Sequence, residues 1–407
     1  MKKIYLDHNA TTPVDPLVLE AMLPYLQESF GNASSIHAFG REAAEGLTAA
    51  RETVAGILGC TTKEVLFTSG ATESDNLALR GVVAANRKKG NHIVISSIEH
   101  PAVLNTAQAL EKEGVQVTYL PVDNDGLVDP AQVKAAIRPD TILVSVMYAN
   151  NETGVIQPIA AIGKIVREAG VLFHTDAVQA AGKLPLNVDE LQCDLMSLSG
   201  HKIYGPKGVG VLYVRQGARL APMITGGHHE FNKRAGTENV PSVAGFAKAL
   251  ELAEQRREED ARRIGEMRDT LEKRLLELLP QIFITAQGAP RLPNTSHLLL
   301  HFIEGEGFLM RLALNHGIAI STGSACTSGT LGTSHVLDAM GLPKQLANSG
   351  VRISLGRGNT MEEMELAAAA IAQEAQRLRD MSPLYDNYHS GRMAEEDRRR
   401  YDVWASK

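Results

Sequence analysis

The chain has 407 residues, 44% hydrophobic and 22% charged, enough for two to three globular units with a sizeable core. Its 41 Lys and Arg against 47 Asp and Glu leave a net charge of −6, which excludes the broad basic footprint of a protein that binds nucleic acid directly. The first nine residues turn charged before any apolar stretch of signal-peptide length, and no run approaches about 18 apolar residues, so a soluble, cytoplasmic protein without a membrane segment is expected.

Short apolar runs rich in β-branched residues recur at 65–67, 92–95, 115–120, 142–146, 171–173, 195–198 and 209–214, and read as strands. Helical patterns at 72–88, 101–113 and 159–168 lie between them. This alternation predicts a large α/β domain with a mainly parallel sheet. A charged stretch from 241 to 279 repeats Ile264, Met267, Leu271, Leu275 and Leu278 at spacings of three and four, which predicts one long helix joining two domains. Strands at 295–302 and 351–355 and helices at 305–316 and 361–378 then predict a smaller α/β domain. The tail from Met381 is polar and charged and reads as a solvated extension.

Three cysteines are too few and too scattered for a disulfide framework or a CxxC metal site. Cys60, at a helix end, and Cys193, entering an apolar run, read as packed structural thiols. Cys326 lies in a polar loop, 321–334, that holds three glycines and almost no bulky apolar residue.

The segment Ser199-Gly200-His201-Lys202 places a lysine just past a strand, where open α/β sheets hold their ligands. Such a lysine can form a Schiff base with an aldehyde cofactor, most commonly pyridoxal 5'-phosphate, although a lone lysine in a polar turn is usually solvated. Asp176 ends another strand, and pyridoxal chemistry needs a carboxylate against the ring nitrogen; alone, it would read as a helix cap. Gln179 follows three residues later, able to donate to the ring oxygen. Ser69-Gly70-Ala71-Thr72 reads as strand, turn and helix start, where the backbone N–H groups at Ala71 and beyond and the Thr72 hydroxyl can cradle a phosphate, as they can equally make a plain cap. His100, at a further strand end, can stack on a flat ring or move protons.

Together with Asn150-Asn151-Glu152-Thr153-Gly154, Arg234-Ala235-Gly236-Thr237-Glu238-Asn239 and Ser324-Ala325-Cys326-Thr327-Ser328, these segments resemble the NifS/IscS-type cysteine desulfurases of the class-V aminotransferase family, in order and spacing, from Tyr5 to Arg357. The long loop around Cys326 is similar to that of the family's first group. The resemblance implies a fold-type I pyridoxal-phosphate transferase with a seven-stranded sheet in a large domain, 13–256, and a small domain made of 1–12 and 257–407. It implies Lys202 as the Schiff-base lysine, Asp176 on the ring nitrogen, Gln179 on the ring oxygen and His100 over the ring. Ala71, Thr72, Ser199 and His201 match phosphate contacts, and Thr237 matches one made from the other subunit of a homodimer. Asn150 and Arg352 match groups that hold the substrate carboxylate.

The implied reaction removes sulfur from L-cysteine, giving L-alanine and a persulfide on Cys326 that passes to an acceptor for iron–sulfur cluster assembly, such as a scaffold of NifU/IscU type. His100 is the candidate acceptor for the Cys326 proton. No resident metal is implied, although Cys326 can ligate a nascent cluster transiently. The motif set sits nearer the nitrogenase-associated branch. A selenocysteine lyase, a small-acid aminotransferase or an interaction platform for iron–sulfur assembly are the competing readings. Two departures stand out: Leu331-Gly332-Thr333-Ser334-His335 where the family often has Leu-Glu-Pro-Ser-His, predicting a looser loop base, and His8 where Asn is frequent.

Overall fold

The computed structural model describes residues 3–322, 333–395 and 398. Its strands are β1 (Ile4–Tyr5), β2 (Val65–Thr68), β3 (His92–Ser96), β4 (Gln116–Leu120), β5 (Thr141–Ser145), β6 (Leu172–Asp176), β7 (Leu195–Ser199), β8 (Gly210–Val214), β9 (Ile282–Ile284), β10 (Thr295–Leu300), β11 (Ile318–Ala319) and β12 (Gly350–Ser354). The helices are α1 (Pro16–Gln27), α2 (Ala38–Leu58), α3 (Ala71–Asn86), α4 (Pro101–Lys112), α5 (Pro130–Ala136), α6 (Ile159–Glu168), α7 (Val240–Gln255), α8 (Arg257–Leu278), α9 (Gly305–His316), α10 (His335–Ala339), α11 (Lys344–Ala347), α12 (Met361–Asp380) and α13 (Pro383–His389).

Seven strands form one sheet in the order β2-β8-β7-β6-β5-β3-β4, with β8 alone reversed. The period-two alternation of side chains divides two cores between its faces. Val65, Phe67, Val94 and Val144 pack with α2, α6 and α7 on one side, and Leu66, Ile93, Ile95 and Leu143 pack with α3 and α4 on the other. Burial on both faces explains the unbroken apolar runs in the sequence.

A second sheet, β12-β10-β9, is antiparallel and shares a separate core with α8, α9 and α12. Ile4 and Leu6 join that core because β1 pairs in parallel with β11. Residues 7–12 therefore run from this unit back to the large sheet.

Three sequence expectations change. The stretch 241–279 is two helices that meet at Arg256 (φ −99°, ψ −1°), because α7 buries Val243, Phe246 and Leu250 in one core while α8 turns Ile264, Met267, Leu271 and Leu275 into another. One straight helix cannot face both. The tail is not wholly solvated: in α13, Tyr385 and Tyr388 lie 5.6 and 5.0 Å from the Phe302 ring. Finally, the helix that ends before Cys60 is the 21-residue α2, whose length apolar periodicity does not reveal because much of its buried face is Gly40, Ala43, Gly46 and Ala50, small residues that carry little hydrophobic signal. A Cβ on Gly46 would lie 2.3 Å from the Tyr25 ring.

The same closeness recurs at Gly356, where a Cβ would come within 2.3–2.5 Å of the His8 ring. Gly356→Ala is expected to cost about 1–3 kcal/mol of stability in urea unfolding, the usual penalty of overpacking, and His8→Ala should recover most of it in the double variant. Additive losses would contradict the contact.

Candidate active site

The sheet brings four turns together at the carboxyl ends of its strands: β2 into α3 at Gly70, β3 into α4 at His100, β6 at Asp176, and β7 into Ser199–Lys202. Lys202 is partly buried, and its Nζ donates to Asn9 O at 2.6 Å and Ala10 O at 2.7 Å. The turn that follows β1 thus supplies the carbonyls that aim this amine. His201, next to it, shares an Nδ1 contact of 3.2 Å with Thr11 Oγ1, while its carbonyl accepts from Thr12 N–H at 2.9 Å.

Asp176 is buried, and its Oδ1 accepts from Val178 N–H at 2.9 Å. Burial pushes its pKa up to about 6, opposed by that hydrogen bond and by the Lys202 charge. Gln179 donates one N–H to Asn9 O at 3.0 Å, and its Oε1 is buried without a partner. At the start of α3, Gly70 (φ 152°) offers no side-chain cap, and the space a Cβ would occupy there is open. The helix N-terminus beside the exposed Thr72 hydroxyl is therefore available to an anion. A basic turn, a buried carboxylate, an uncapped helix start and unpaired amide capacity form a donor set that fits a phosphorylated, protonatable aromatic ring.

His100 caps α4, its Nδ1 accepting from Ala102 N–H at 3.1 Å. Burial, then Lys202 and His335, push its pKa down to about 4. The Ala102 N–H on Nδ1 leaves Nε2 to carry the proton of the neutral ring. Ser199 is buried at the end of β7, and Thr237 is exposed on the turn before α7.

Arg352, on β12, is buried and donates from Nη2 to Asp7 Oδ1 at 2.8 Å and from Nη1 to Asn151 O at 2.9 Å. Its Nε is buried without a partner, a donor suited to a carboxylate. Asn150 does not share that cleft. It is fully buried, with Nδ2 donating to Ile98 O and Oδ1 accepting from Glu152 N–H and Thr153 N–H, so it builds the turn. Its half-buried neighbour Asn151 is the residue beside Arg352, and its side-chain amide makes no hydrogen bond to the described residues. Sequence spacing alone did not separate these two adjacent asparagines.

Cys326 lies outside the described residues, but the segments flanking 323–332 do not. Ser321 pairs with Arg352 through N–H···O bonds of 3.1 and 2.6 Å. On the other side Ser334 caps α10 and donates to Glu152 Oε2, and His335 Nε2 lies 2.9 Å from Glu99 O. Where the family often has Glu-Pro, Thr333 instead donates to Asp338 Oδ2 at 2.7 Å. The rest of the departure, Leu331 and Gly332, lies outside the described residues. Cys193 is buried and Cys60 half-buried, and burial pushes both thiols up to about 12, which leaves them inert. Among the described residues no cluster of His, Cys, Asp and Glu is placed to hold a metal ion.

The aminotransferase class-V family matches residues 4–366. A cysteine desulfurase IscS from Anaeromyxobacter dehalogenans is 50% identical over 391 residues, which is 95% of this chain and 96% of that protein. A solved NifS-like protein superposes with a TM-score of 0.87 at 39% identity, covering 92% of this chain and all of the other. A structure described as SspA in complex with cysteine superposes with a TM-score of 0.76 at 37% identity, over 87% of this chain and 99% of that one.

Glu99, directly before His100, is fully buried, with Oε1 accepting from Met147 N–H at 2.7 Å and from Ser96. Burial raises its pKa from 4.5 to about 8. Because the folded state binds this proton more tightly, the contribution to stability is full below about 4.5 and is lost as pH rises toward about 8. Glu99→Gln keeps the accepting oxygen without the titration. It is expected to gain stability relative to the parent as urea unfolding is repeated from about pH 5 to about pH 8, and a constant difference across that range would contradict the assignment.

Proposed function

This chain belongs to the aminotransferase class-V family and is a cysteine desulfurase, and from that premise we propose how its residues divide the work. The two cores suggest a large domain, 13–256, and a small domain formed by 1–12 and 257–407. These families are pyridoxal-phosphate enzymes, and the donor set at the strand ends fits that cofactor. When bound, it supplies an aldehyde for an amine to capture and an electron-poor ring that stabilises negative charge at the substrate's α-carbon.

The N–H groups at Ala71 and Thr72, the Thr72 hydroxyl, Ser199 and His201 hold the phosphate at the start of α3. Asp176 keeps the ring nitrogen protonated, since an ionised carboxylate in a buried site favours a neighbouring cation. Gln179 has a second N–H that would serve the ring oxygen, and the neutral His100 would stack on the ring. Arg352, through its free Nε, and Asn151 hold the carboxylate of L-cysteine; the cysteine in the SspA complex is consistent with that substrate. Lys202 is the Schiff-base lysine, and its amine takes the proton from the substrate's α-carbon. Cys326, as a thiolate, attacks the substrate sulfur; an S–S bond forms as the C–S bond breaks, and the remaining carbon skeleton takes up protons to become alanine.

The observation that carries this reading is the single bonded chain from Lys202 through Asn9 and Asn151 to Arg352, which ties the reacting amine to the carboxylate-binding arginine. The persulfide passes to a sulfur acceptor, and we propose a NifU/IscU-type scaffold for iron–sulfur assembly in the cytoplasm, without restriction to nitrogenase. No helix among the described residues is long and apolar enough to cross a membrane.

A homodimer is also proposed. Leu19, Leu26, Phe30, Phe39 and Ile36, the last 92% exposed, are large apolar side chains left open along α1, the turn after it and the start of α2, with the Phe30 and Phe39 rings 5.7 Å apart, and they support a subunit contact there. Thr237 is exposed for reaching a second copy's phosphate site.

Two measurements test these assignments. Cys326→Ala should keep the visible absorption of the bound cofactor yet lose alanine and sulfide formation by about 100-fold or more; full turnover would remove Cys326 from the mechanism. Ile36→Glu with Phe39→Glu should shift sedimentation from dimer to monomer and weaken cofactor retention, whereas an unchanged sedimentation coefficient would place the subunit contact elsewhere.

A further inference from the structure

Lys202 is not the only amine in its cleft. Lys183 lines the same cavity, in company with His8, Tyr204, Asp260 and Arg357. Its Nζ donates to Gln179 O at 3.0 Å, Gln179 Nε2 donates to Asn9 O at 3.0 Å, and Asn9 O also receives Lys202 Nζ at 2.6 Å. Gln179 therefore stands between the two amines, its main-chain carbonyl on Lys183 and its side-chain amide on the carbonyl that holds Lys202. Among the described residues no carboxylate pairs with Lys183.

The surrounding charges do not relieve the pair. On α8, Asp260 is committed to Arg357 at 2.6 Å, and the Arg357 guanidinium lies over the Tyr204 ring at 4.5 Å. His8, from the amino-terminal segment, and His100 and His201, on the Lys202 side, are each held down to about 4 and are neutral at pH 7. Asp15 lies 3.9 Å from Arg357, and the Asp176 charge acts on the Lys202 side. Lys202 donates to two carbonyls, while Lys183 donates to one and has Lys202 and Arg357 as cationic neighbours. Like charges so placed cannot both persist at low cost.

We propose that Lys183 and Lys202 act as a two-amine pair that holds one proton between them near neutral pH, Lys183 releasing its proton when Lys202 gains one. This rests on the reading of Lys202 as the amine that takes the substrate's α-proton. When the N–H bond forms on Lys202 Nζ, an N–H bond on Lys183 breaks and that proton leaves to water through the cavity that Lys183 lines. The charge of the pocket stays constant while the proton moves, so the reaction does not accumulate a second cation beside a developing centre. Lys183 is thus a positioning residue acting on the proton affinity of Lys202. The shift found for Lys183 has the same sense: its pKa is pushed down to about 7 by burial first, then by Lys202 and Arg357.

The test needs no turnover. In the full chain stripped of cofactor, the titration of Lys183 is followed by competitive amine labelling and mass spectrometry, in the parent and in Lys202→Met. The parent should titrate near 7, and the loss of the Lys202 charge should raise Lys183 by about one pH unit or more. Equal values in both chains would overturn the coupling.

Lys183→Arg supplies the complementary arm, since arginine keeps its charge at every working pH. Capture of pyridoxal phosphate by the stripped chain requires Lys202 neutral, so its rate profile in Lys183→Arg should move to lower pH by about one unit, whereas in Lys183→Met it should match the parent above about pH 7. A Lys183→Arg profile that overlays the parent would also overturn the proposal. Borohydride trapping, which maps the captured cofactor to a residue, separates this from failure of the Lys202 reading: label elsewhere removes the role of Lys202 while leaving the Lys183 titration intact.

Discussion

Two backbone carbonyls, Asn9 O and Ala10 O, hold the ammonium of Lys202 at the edge of the large sheet, and much of the molecule exists to put them there. They belong to a segment whose start, Ile4 and Leu6, is buried in the small unit's core, and whose end binds His201 and Tyr204 through Thr12. Asp7 pairs with Arg352, and Asn9 reaches Asn151, Thr295 and Asn294. The reacting amine, the carboxylate-binding arginine and the junction of both cores therefore share six residues, 7–12, that include a turn closed by Ala10 N–H on Asp7 O. A disturbance in any of the three is felt by the others through charge-assisted hydrogen bonds, the stronger kind.

Burial then decides which groups keep their charge. His8, His100 and His201 are held at about 4 and His174 at about 3, all chiefly by desolvation, so they enter the chemistry as neutral rings. Asp75 and Glu99, fully buried, are raised by the same cause, Glu99 to about 8, so Glu99 holds its proton at pH 7 while Asp176, at about 6, carries negative charge beneath the site. The large sheet contributes more than position: it makes a low-dielectric floor in which a single charge carries weight.

Much of this was legible in the sequence. The seven β-branched runs became the seven strands, and residues just past strand ends, His100, Asp176 and Lys202, converged because parallel sheets gather such turns on one edge. What stayed hidden was information that depends on neighbours distant in the chain. Nothing local marks Asn151 rather than Asn150 as the open residue, because only the bonds to Ile98 and Arg352 distinguish them. The break at Arg256 follows from two cores that claim different faces, and α2 packs through small residues that periodicity does not register. The protonation of His100 likewise depends on its nitrogen being taken by the helix it caps. Lys183 belongs to no motif, and only the fold brings it into the cavity that Lys202 lines.

The most direct test of the account is one absorption experiment on the purified parent chain, scanned before and after L-cysteine is added, with alanine and sulfide assayed in the same sample. The account requires a visible band from the bound cofactor, a change in that band on addition, and both products. A chain that stays colourless after incubation with pyridoxal phosphate and forms no alanine would contradict the role given to Lys202, and with it the purpose assigned to the carbonyls that hold it.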